Sequence, residues 1–332
     1  MSISLVIPFY DDYPLLGSAL HGVYRQTLIP NEVILVYNGS HIEDADKLIQ
    51  QLLSLYKPLN IRLIMTGPVG VSAARNIGIQ DSSSEFISFL DVDDAMHSNR
   101  IQRQFEFLRN NEHIDAVSSW YSLFEDGSGC VKLPEKHNSI KYSCIYWQSF
   151  FVSGSMMKKS IFNDSQNFFN PSLSIAEDCD WLIRMICKGL VFSNIPDPLT
   201  SYRIHQSSLS HRDPALTQQQ AIKVKRNALK LDTIKLSINN HNYLINRSEL
   251  FLLQGMYPKI FNCRSSMFLY WQYSHWYDYL HSQQPDKEPR AVFKTLILLK
   301  LIAAFLRASF FLSSDHFLSI AFFKLAYSQL VR

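Results

Sequence analysis

The chain has 332 residues, of which 47% are apolar, 18% are charged and 13% are aromatic. This length supports one large domain or two, and the composition excludes collagen-like sequence, wholesale disorder and arrays of linkers. The net charge of +3 is unevenly distributed. Residues 1–215 carry 17 Lys and Arg against 23 Asp and Glu, a balance of −6, whereas residues 216–332 carry 15 against 6, a balance of +9. This asymmetry indicates an anionic surface as a partner of the C-terminal part.

Two features of the sequence favour a cytoplasmic protein. The first residues contain no basic segment, and their apolar run stops at Pro8, so they do not have the pattern of a secretory signal peptide. The five cysteines are an odd, scattered set without a Cys-x-x-Cys pair, which is typical of a reducing compartment. The sequence also has no zinc-finger, KH-loop or basic-zipper pattern, so nucleic acid is not expected as a partner.

The first ninety residues alternate short apolar runs with helical patterns. The apolar runs predict strands at 4–8, 33–37, 61–65 and 86–90, and the segments between them predict helices at 13–26, 43–56 and 71–80. Continuous Val, Ile, Leu and Phe in such strands predict a mostly parallel, Rossmann-like α/β sheet with helices on both faces. Ligands bind to sheets of this kind at the carboxyl ends of the strands.

An acidic cluster follows the fourth predicted strand, with Asp91, Asp93 and Asp94 within four residues. On extended backbone, Asp91 and Asp93 point in the same direction, so both could face one cation. Carboxylates completed by substrate phosphates and water are typical ligands of Mg²⁺ and Mn²⁺. In the alternative interpretation, Asp94 caps a helix that begins near Met96, which accounts for one of the three carboxylates.

Three weaker motifs gain meaning beside the acidic cluster. Residues 67–76 predict a glycine-containing loop that enters a helix, from which the planar donors of Arg75 can reach a diphosphate. Glu177 and Asp178 begin a predicted helix, where a carboxylate can act as a general base or simply complement the helix dipole. His205 ends a Tyr-Arg-Ile-His motif, and on its own it would be interpreted as structural.

In this order and spacing, the motifs resemble those of a family 2 glycosyltransferase of the GT-A fold, over about residues 2–210. The family's first two strands end in Pro-x-Tyr-Asn and in Asp-Asp-Gly-Ser or Asp-Asn-Gly-Ser, and its later motifs are Ala-Arg-Asn-x-Gly, Asp-x-Asp-Asp, Glu-Asp and Tyr-Arg-x-His. The corresponding segments of this sequence are 8–11, 37–40, 74–78, 91–94, 177–178 and 202–205. The resemblance implies inverting transfer of a hexose in the assembly of bacterial cell-surface polysaccharide.

The resemblance also implies roles for individual residues. Those assigned to the nucleotide sugar, a UDP-, dTDP- or GDP-sugar, are Pro8, Phe9, Tyr10, Tyr37, Asn38, Arg75 and Asp91. Those assigned to a divalent cation, Mn²⁺ or Mg²⁺, are Asp93, Asp91 and His205. The catalytic base is Asp178, with Glu177 beside it. Those assigned to the acceptor side, where a saccharide or lipid-linked saccharide would bind, are Gly154, Ser155 and Trp181.

One position departs from the family pattern. Tyr37 stands where the family usually has an Asp that contacts the nucleoside base or the ribose, and a Tyr cannot offer a carboxylate. This departure keeps a second hypothesis open, namely a catalytically impaired sugar-nucleotide-binding or scaffold protein of the same fold. A sugar-nucleotide pyrophosphorylase is set aside, because residues 8–13 contain neither Gly nor Arg.

The sequence divides near residue 215. A glycosyltransferase domain, 1–215, is expected to have a nucleotide-binding half, about 1–112, and an acceptor half, about 113–215. The remainder, 216–332, has an almost wholly helical pattern.

The C-terminal region is rich in aromatic and basic residues. Nine aromatic side chains lie in 255–281, and the apolar segment 291–312 is interrupted by basic residues. A spanning helix would place Lys300 in the middle of the bilayer, at a cost of roughly 2.5–3.5 kcal/mol. A helix lying in the membrane surface is therefore favoured, which would put the protein at the cytoplasmic face of the inner membrane. The alternative is a helical packing domain or a homodimer surface.

Overall fold

The computed structural model describes residues 2–11, 13–40, 42–144 and 148–205, with six further residues between 217 and 227. The predicted boundary near 215 and almost all of the predicted helical C-terminal region lie outside these residues. Within the described part of the chain, no helix is long and apolar enough to cross a membrane.

The described elements alternate between strands and helices in the first half of the chain. In chain order they are β1 (Ile3–Phe9), α1 (Tyr13–Tyr24), β2 (Glu32–Tyr37), α2 (Ile42–Leu53), β3 (Ile61–Met65), α3 (Val71–Asp81), β4 (Phe86–Phe89), β5 (Ala95–Met96), α4 (Arg100–Asn110), β6 (Ala116–Glu125), β7 (Gly129–Val131), α5 (His137–Ser143), β8 (Met156–Lys158), α6 (Glu177–Cys187) and β9 (Phe192–Ile204). Short 3₁₀ helices lie at Ser54–Tyr56, Lys159–Asn163 and Ser165–Asn167. All seven elements predicted for the first ninety residues are confirmed, with ends within three residues of the prediction.

The nine described strands form one mixed sheet, in the order β3-β2-β1-β4-β8-β6-β9-β5, with β7 paired to β6. The first four strands are parallel to one another, as predicted. Beyond β4 the sheet departs from the parallel arrangement, because β8 runs antiparallel to both β4 and β6. The strand order reverses at β1, which separates β2 from β4, and this reversal opens a crevice at the carboxyl ends of these strands.

Helices cover both faces of the sheet. Leu5 and Ile7 enter a core packed by α1, α2 and α4, whereas Val6 enters a second core packed by α3, α5 and α6. This alternation along β1 is the signature of a strand that is buried on both sides. Helix α3 lies very close to β1, because Gly78 faces Val6 and a Cβ atom at Gly78 would overlap the Val6 side chain.

Trp181 is part of the second core and does not line an acceptor site. Its side chain is fully buried, and its ring stacks on Phe169 with a centroid separation of 5.2 Å. Its indole N–H donates to the carbonyl of Asn167 at 2.8 Å. The sequence-based assignment of Trp181 to the acceptor side is therefore wrong. The helical spacing in α6 directs this ring inwards, whereas Glu177 and Asp178 remain at the entrance of the helix.

Removing this ring should destabilise the fold strongly. We expect Trp181→Ala to lower the free energy of unfolding by about 3–5 kcal/mol, because it leaves a cavity in a closely packed core. Trp181→Phe should cost less, because it keeps an aromatic ring and loses the indole hydrogen bond. Urea unfolding followed by circular dichroism measures both values. A loss below about 1 kcal/mol for Trp181→Ala would contradict the packing described for this residue.

Candidate active site

The acidic cluster forms a turn at the carboxyl end of β4. The Asp94 N–H donates to the Asp91 carbonyl at 3.1 Å, so the backbone turns here and does not continue as a strand. The expectation of extended backbone at Asp91 and Asp93 is therefore wrong. The helix expected near Met96 is also absent, because Met96 belongs to β5 and α4 begins only at Arg100. Asp94 therefore does not cap a helix.

A buried arginine connects the acidic turn to the entrance of α6. Arg75 donates from Nη2 to Asp91 Oδ1 at 2.9 Å and from Nη1 to Glu177 Oε1 at 2.7 Å. Its side chain is 4% exposed, and its guanidinium lies 5.6 Å from the ring centroid of Phe169. Both terminal nitrogens of Arg75 thus bind carboxylates, so the side chain that was predicted to contact a diphosphate joins two acidic groups of the protein in this structure.

Burial and charge act in opposite directions on this cluster. Burial lowers the pKa of the Arg75 guanidinium, but the charges of Asp91 and Glu177 outweigh burial and leave that pKa above its ordinary value. Burial raises the pKa of Glu177 to about 7, although the charge of Arg75 opposes the rise. Arg75 therefore stays positively charged, and the Glu177 carboxyl group can hold a proton near neutral pH.

Asp178 lies beside Glu177 but has different partners. Its Oδ1 accepts the N–H of Cys179 at 2.7 Å, and its Oδ2 accepts an N–H of Gln148 at 2.5 Å. Burial raises the pKa of Asp178. The raised pKa is closer to the range that suits a general base near neutral pH. The sequence offered no signal for Gln148, because a polar residue in a loop carries no periodicity and belongs to none of the motifs.

Asp93 faces His205, which follows the last residue of β9. The Oδ2 atom of Asp93 lies 3.1 Å from His205 Nε2, and the two side chains are 27% and 22% exposed. Burial and the neighbouring charge of Asp91 raise the pKa of Asp93, and His205 opposes that rise. The structure thus brings together two predicted metal ligands that are 112 residues apart, whereas Asp91, the third, binds Arg75.

The Asp93–His205 pair fits a divalent cation of the kind that the sequence suggested. A carboxylate oxygen and an imidazole nitrogen are both accepted by Mn²⁺. No group of three or more His, Cys, Asp or Glu side chains arranged to hold a metal occurs among the described residues. A cation at this pair would therefore complete its coordination with substrate oxygens and water, which is how Mg²⁺ is commonly bound beside phosphates.

The loops after β1 and β2 form a second polar edge. The hydroxyl of Tyr37, which is fully buried, donates to Asp11 Oδ1 at 2.7 Å. A Cβ atom at Gly39 would overlap both of these groups, so the pair requires a glycine at that position. Tyr10 is 44% exposed, and its hydroxyl lies 2.8 Å from Ser40 Oγ. The carboxylate at this edge therefore comes from Asp11, which the sequence-based list of site residues did not include.

Five other predicted site residues are buried. Pro8 and Phe9 lie inside β1, and Asn38 donates its side-chain N–H to the Phe9 carbonyl at 2.9 Å. Gly154 and Ser155 are buried as well. These five residues lie within the fold, and the members of the predicted nucleotide set that are at least partly exposed are Tyr10 and Asp91.

Solved structures show the same fold. S. aureus TarS 1–349, solved in complex with UDP-GlcNAc, matches with a TM-score of 0.56 and 16% identity, over 82% of this chain and 79% of that chain. The mannosyltransferase PcManGT from Pyrobaculum calidifontis, solved with GDP-Man and Mn²⁺, matches with a TM-score of 0.52 and 14% identity, over 86% of this chain and 88% of that chain. The predicted α/β fold of the GT-A class is confirmed.

Sequence matches are consistent with the resemblance that the motifs indicated. Residues 4–164 match the model for glycosyl transferase family 2. The minor teichoic acid biosynthesis protein GgaA of Bacillus subtilis is 26% identical over 218 residues, which cover 60% of this chain and 46% of GgaA. An Escherichia coli UDP-Gal:alpha-D-GlcNAc-diphosphoundecaprenol beta-1,3-galactosyltransferase is 28% identical over 147 residues, which cover 43% of this chain and 52% of that protein. The chain therefore spans about half the length of these two relatives. Residues 4–164, just under half of the chain, thus match glycosyl transferase family 2, the family that the motifs resemble.

The buried Glu177 carboxyl predicts a pH-dependent stability. Its pKa is about 7 in the folded protein against an ordinary value of 4.5, so the folded chain binds this proton more tightly than the unfolded chain does. Its contribution to the free energy of unfolding is therefore complete below about pH 4.5 and is lost as the pH rises through about 7. Glu177→Gln resembles the protonated carboxyl and should reduce the fall in unfolding free energy between about pH 5 and pH 8, by at most about 3 kcal/mol.

Urea unfolding at both pH values measures this difference. Glu106→Gln, at an exposed position on α4, is the control and should behave like the wild type. An equal fall in stability for Glu177→Gln and the wild type would show that Glu177 does not hold a proton in the folded state.

Proposed function

We propose that the protein is an inverting, metal-assisted glycosyltransferase that moves a sugar from a nucleoside-diphosphate donor to a hydroxyl group of a saccharide or lipid-linked saccharide. The observation that carries the proposal is the linkage of Asp178, through Glu177 and Arg75, to the acidic turn that contains Asp93. A carboxylate suited to proton removal and a carboxylate suited to a cation thus belong to one hydrogen-bonded frame. The donors and acceptors named for the relatives described above support the substrate classes.

In the proposed reaction, Asp178 acts as the general base. Its carboxylate takes the proton of the acceptor hydroxyl while the acceptor oxygen forms a bond with the anomeric carbon of the sugar. The bond between that carbon and the diphosphate oxygen breaks, and the nucleoside diphosphate leaves with the electron pair. A single displacement of this kind inverts the anomeric configuration. The Cys179 N–H and the Gln148 amide, which both donate to Asp178, orient its carboxylate.

Asp93 and His205 are the residues that would hold a divalent cation. When bound, the cation supplies positive charge that stabilises the leaving diphosphate. Arg75 is bonded to carboxylates on both sides, and we assign it to holding Asp91 and Glu177 in place. This arrangement fixes the distance between the proposed base and the proposed cation site, because α3 carries the arginine that spans both.

The proposed donor site includes the edge formed by the loops after β1 and β2. The Asp11 carboxylate can accept hydrogen bonds from a base N–H or from ribose hydroxyls, and the exposed ring of Tyr10 can stack on a base. The scaffold hypothesis arose because Tyr37 replaces an expected carboxylate. Asp11, held by the Tyr37 hydroxyl, supplies a carboxylate at the same edge, which supports donor binding over the scaffold hypothesis.

The setting of the reaction is also part of the proposal. The basic and aromatic composition of 216–332 supports peripheral contact with the cytoplasmic face of the inner membrane, where a lipid-linked acceptor would be accessible. A homodimer formed through the same region is the alternative.

Replacement of the base should separate binding from chemistry. We expect Asp178→Asn to reduce kcat by about 10²–10⁴-fold, because the amide cannot accept the acceptor proton. Donor affinity should stay within about twofold of the wild type. Asp93→Ala should instead weaken donor binding in the presence of Mn²⁺. Calorimetry with a panel of nucleotide sugars, with and without Mn²⁺, measures binding, and release of the nucleoside diphosphate measures turnover.

Asp197→Asn is the matched control, because Asp197 forms an exposed ion pair with Arg103. It should leave both readouts unchanged. Donor binding without turnover in the wild-type protein, under all metal and acceptor conditions, would overturn the enzymatic proposal in favour of a scaffold.

The Asp11 carboxylate should contribute to nucleotide affinity. We expect Asp11→Asn to weaken binding of the preferred nucleotide, among UDP, dTDP and GDP, by about tenfold or more, because hydrogen bonds to charged groups contribute roughly 1.5–3 kcal/mol. Tyr37→Phe should weaken binding less, because it only loosens the carboxylate. Tyr56→Phe is the control, since the Tyr56 hydroxyl donates to the Gly17 carbonyl at 3.0 Å, in a contact apart from this edge. Unchanged affinity in Asp11→Asn would exclude Asp11 from the donor site.

A further inference from the structure

Asp94 is the carboxylate of the acidic turn that the proposed mechanism leaves without a role. It is 3% exposed, whereas the side chains of Asp91 and Asp93 are 32% and 27% exposed. A carboxylate that is taken out of water is costly unless its oxygens accept hydrogen bonds. Both oxygens of Asp94 do so, and their partners come from two distant parts of the chain.

The first partner is Ser153, which precedes β8. Its hydroxyl donates to Asp94 Oδ2 at 2.8 Å and also accepts the N–H of Asp91 at 2.8 Å. One serine thus connects the first and last residues of the acidic turn. Ser153 is itself held by Arg100, which is fully buried and donates to the Ser153 carbonyl at 3.4 Å. Arg100 also donates to the carbonyl of Phe89, the last residue of β4.

The second partner is Arg203, near the end of β9. Its backbone N–H donates to Asp94 Oδ1 at 3.2 Å, and its side-chain Nε donates to the Asp93 carbonyl at 2.7 Å. The guanidinium forms an ion pair with Glu125, the last residue of β6, and lies 4.6 Å from the ring centroid of Phe124. The Asp93 carbonyl and the Asp94 side chain are therefore both attached to the strand that ends just before His205.

We infer that Asp94 is a positioning residue that acts through Ser153 and Arg203 to hold Asp93 opposite His205, and so prepares this pair for a divalent cation. The inference rests on the proposed function of the pair as a cation site. Two protein ligands bind a cation weakly unless their separation is set before the cation arrives. Replacement of a residue that orients a metal ligand through a hydrogen bond typically lowers metal affinity by about 10- to 100-fold.

The test measures Mn²⁺ binding directly, by water-proton relaxation, on the full chain with Mn²⁺ alone and with Mn²⁺ plus UDP. We expect Asp94→Asn to weaken Mn²⁺ binding by about 10- to 100-fold, because an amide can accept through only one of its two terminal atoms. Ser153→Ala should have a similar effect, and Ser153→Thr, which keeps the hydroxyl, should restore most of the affinity. Asp93→Ala provides the reference for loss of a direct ligand.

Ser118→Ala is the matched control. Ser118 is fully buried, and its hydroxyl donates to the Phe151 carbonyl at 2.7 Å, so it supports the same segment as Ser153 without touching the acidic turn. It should lower the melting temperature about as much as Ser153→Ala while leaving the Mn²⁺ affinity unchanged. If Asp94→Asn does not fold, the two serine variants carry the test.

The outcomes separate the inference from the proposed function. Wild-type affinity in both Asp94→Asn and Ser153→Ala, together with loss of binding in Asp93→Ala, would overturn the inference and leave the cation site intact. An equal loss in Ser118→Ala and Ser153→Ala would also overturn it, because the effect would then follow from general destabilisation. Failure of the wild type to bind Mn²⁺ under either condition would overturn both the inference and the proposed cation site.

Discussion

The buried guanidinium of Arg75 is the interaction on which the candidate site depends. A charge removed from water is stable only where opposite charges and hydrogen bonds replace the water, and here Asp91 and Glu177 do so. The acidic turn after β4 and the entrance of α6 must therefore meet at α3. Helix α3 can approach closely enough because Gly78 lets it lie against β1. The proposed base, Asp178, is placed by this same contact, since it follows Glu177 directly.

The second half of the sheet supplies the other side of the site. Strands β6 and β9 run parallel over most of their length, and they carry Glu125 and Arg203 to the acidic turn. Because His205 follows the end of β9, the pairing that forms the sheet also sets the position of the imidazole opposite Asp93. Strand β8, which runs antiparallel between β4 and β6, places Ser153 at the carboxyl end of β4. Strands β6 and β9 run in the same direction as β4 and bring residues near 125 and 205 to the same end.

The edge beside the site departs from the family pattern that the motifs otherwise resemble. Tyr37 occupies a position where related sequences usually place an Asp, yet its hydroxyl holds the carboxylate of Asp11 at 2.7 Å. The acidic group at this edge comes from the loop after β1, and Gly39 leaves the space for its contact with Tyr37. A comparison of the motif position by position shows that the carboxylate at position 37 is missing, but it does not show the contact between Tyr37 and Asp11.

The sequence by itself determined the parallel half of the sheet, the helices that cover it and the family motifs at the ends of its strands. These features are local, because strand and helix periodicities depend on neighbouring residues and the motifs are contiguous. It did not determine the partners of Arg75, the burial of Trp181, the turn at Asp91–Asp94 or the role of Asp11. Each of these depends on which side chains from distant segments share one buried volume, as Arg203 and Asp94 do across more than a hundred residues. Only the tertiary structure decides that, because burial of charge is settled by long-range packing and not by the local order of residues.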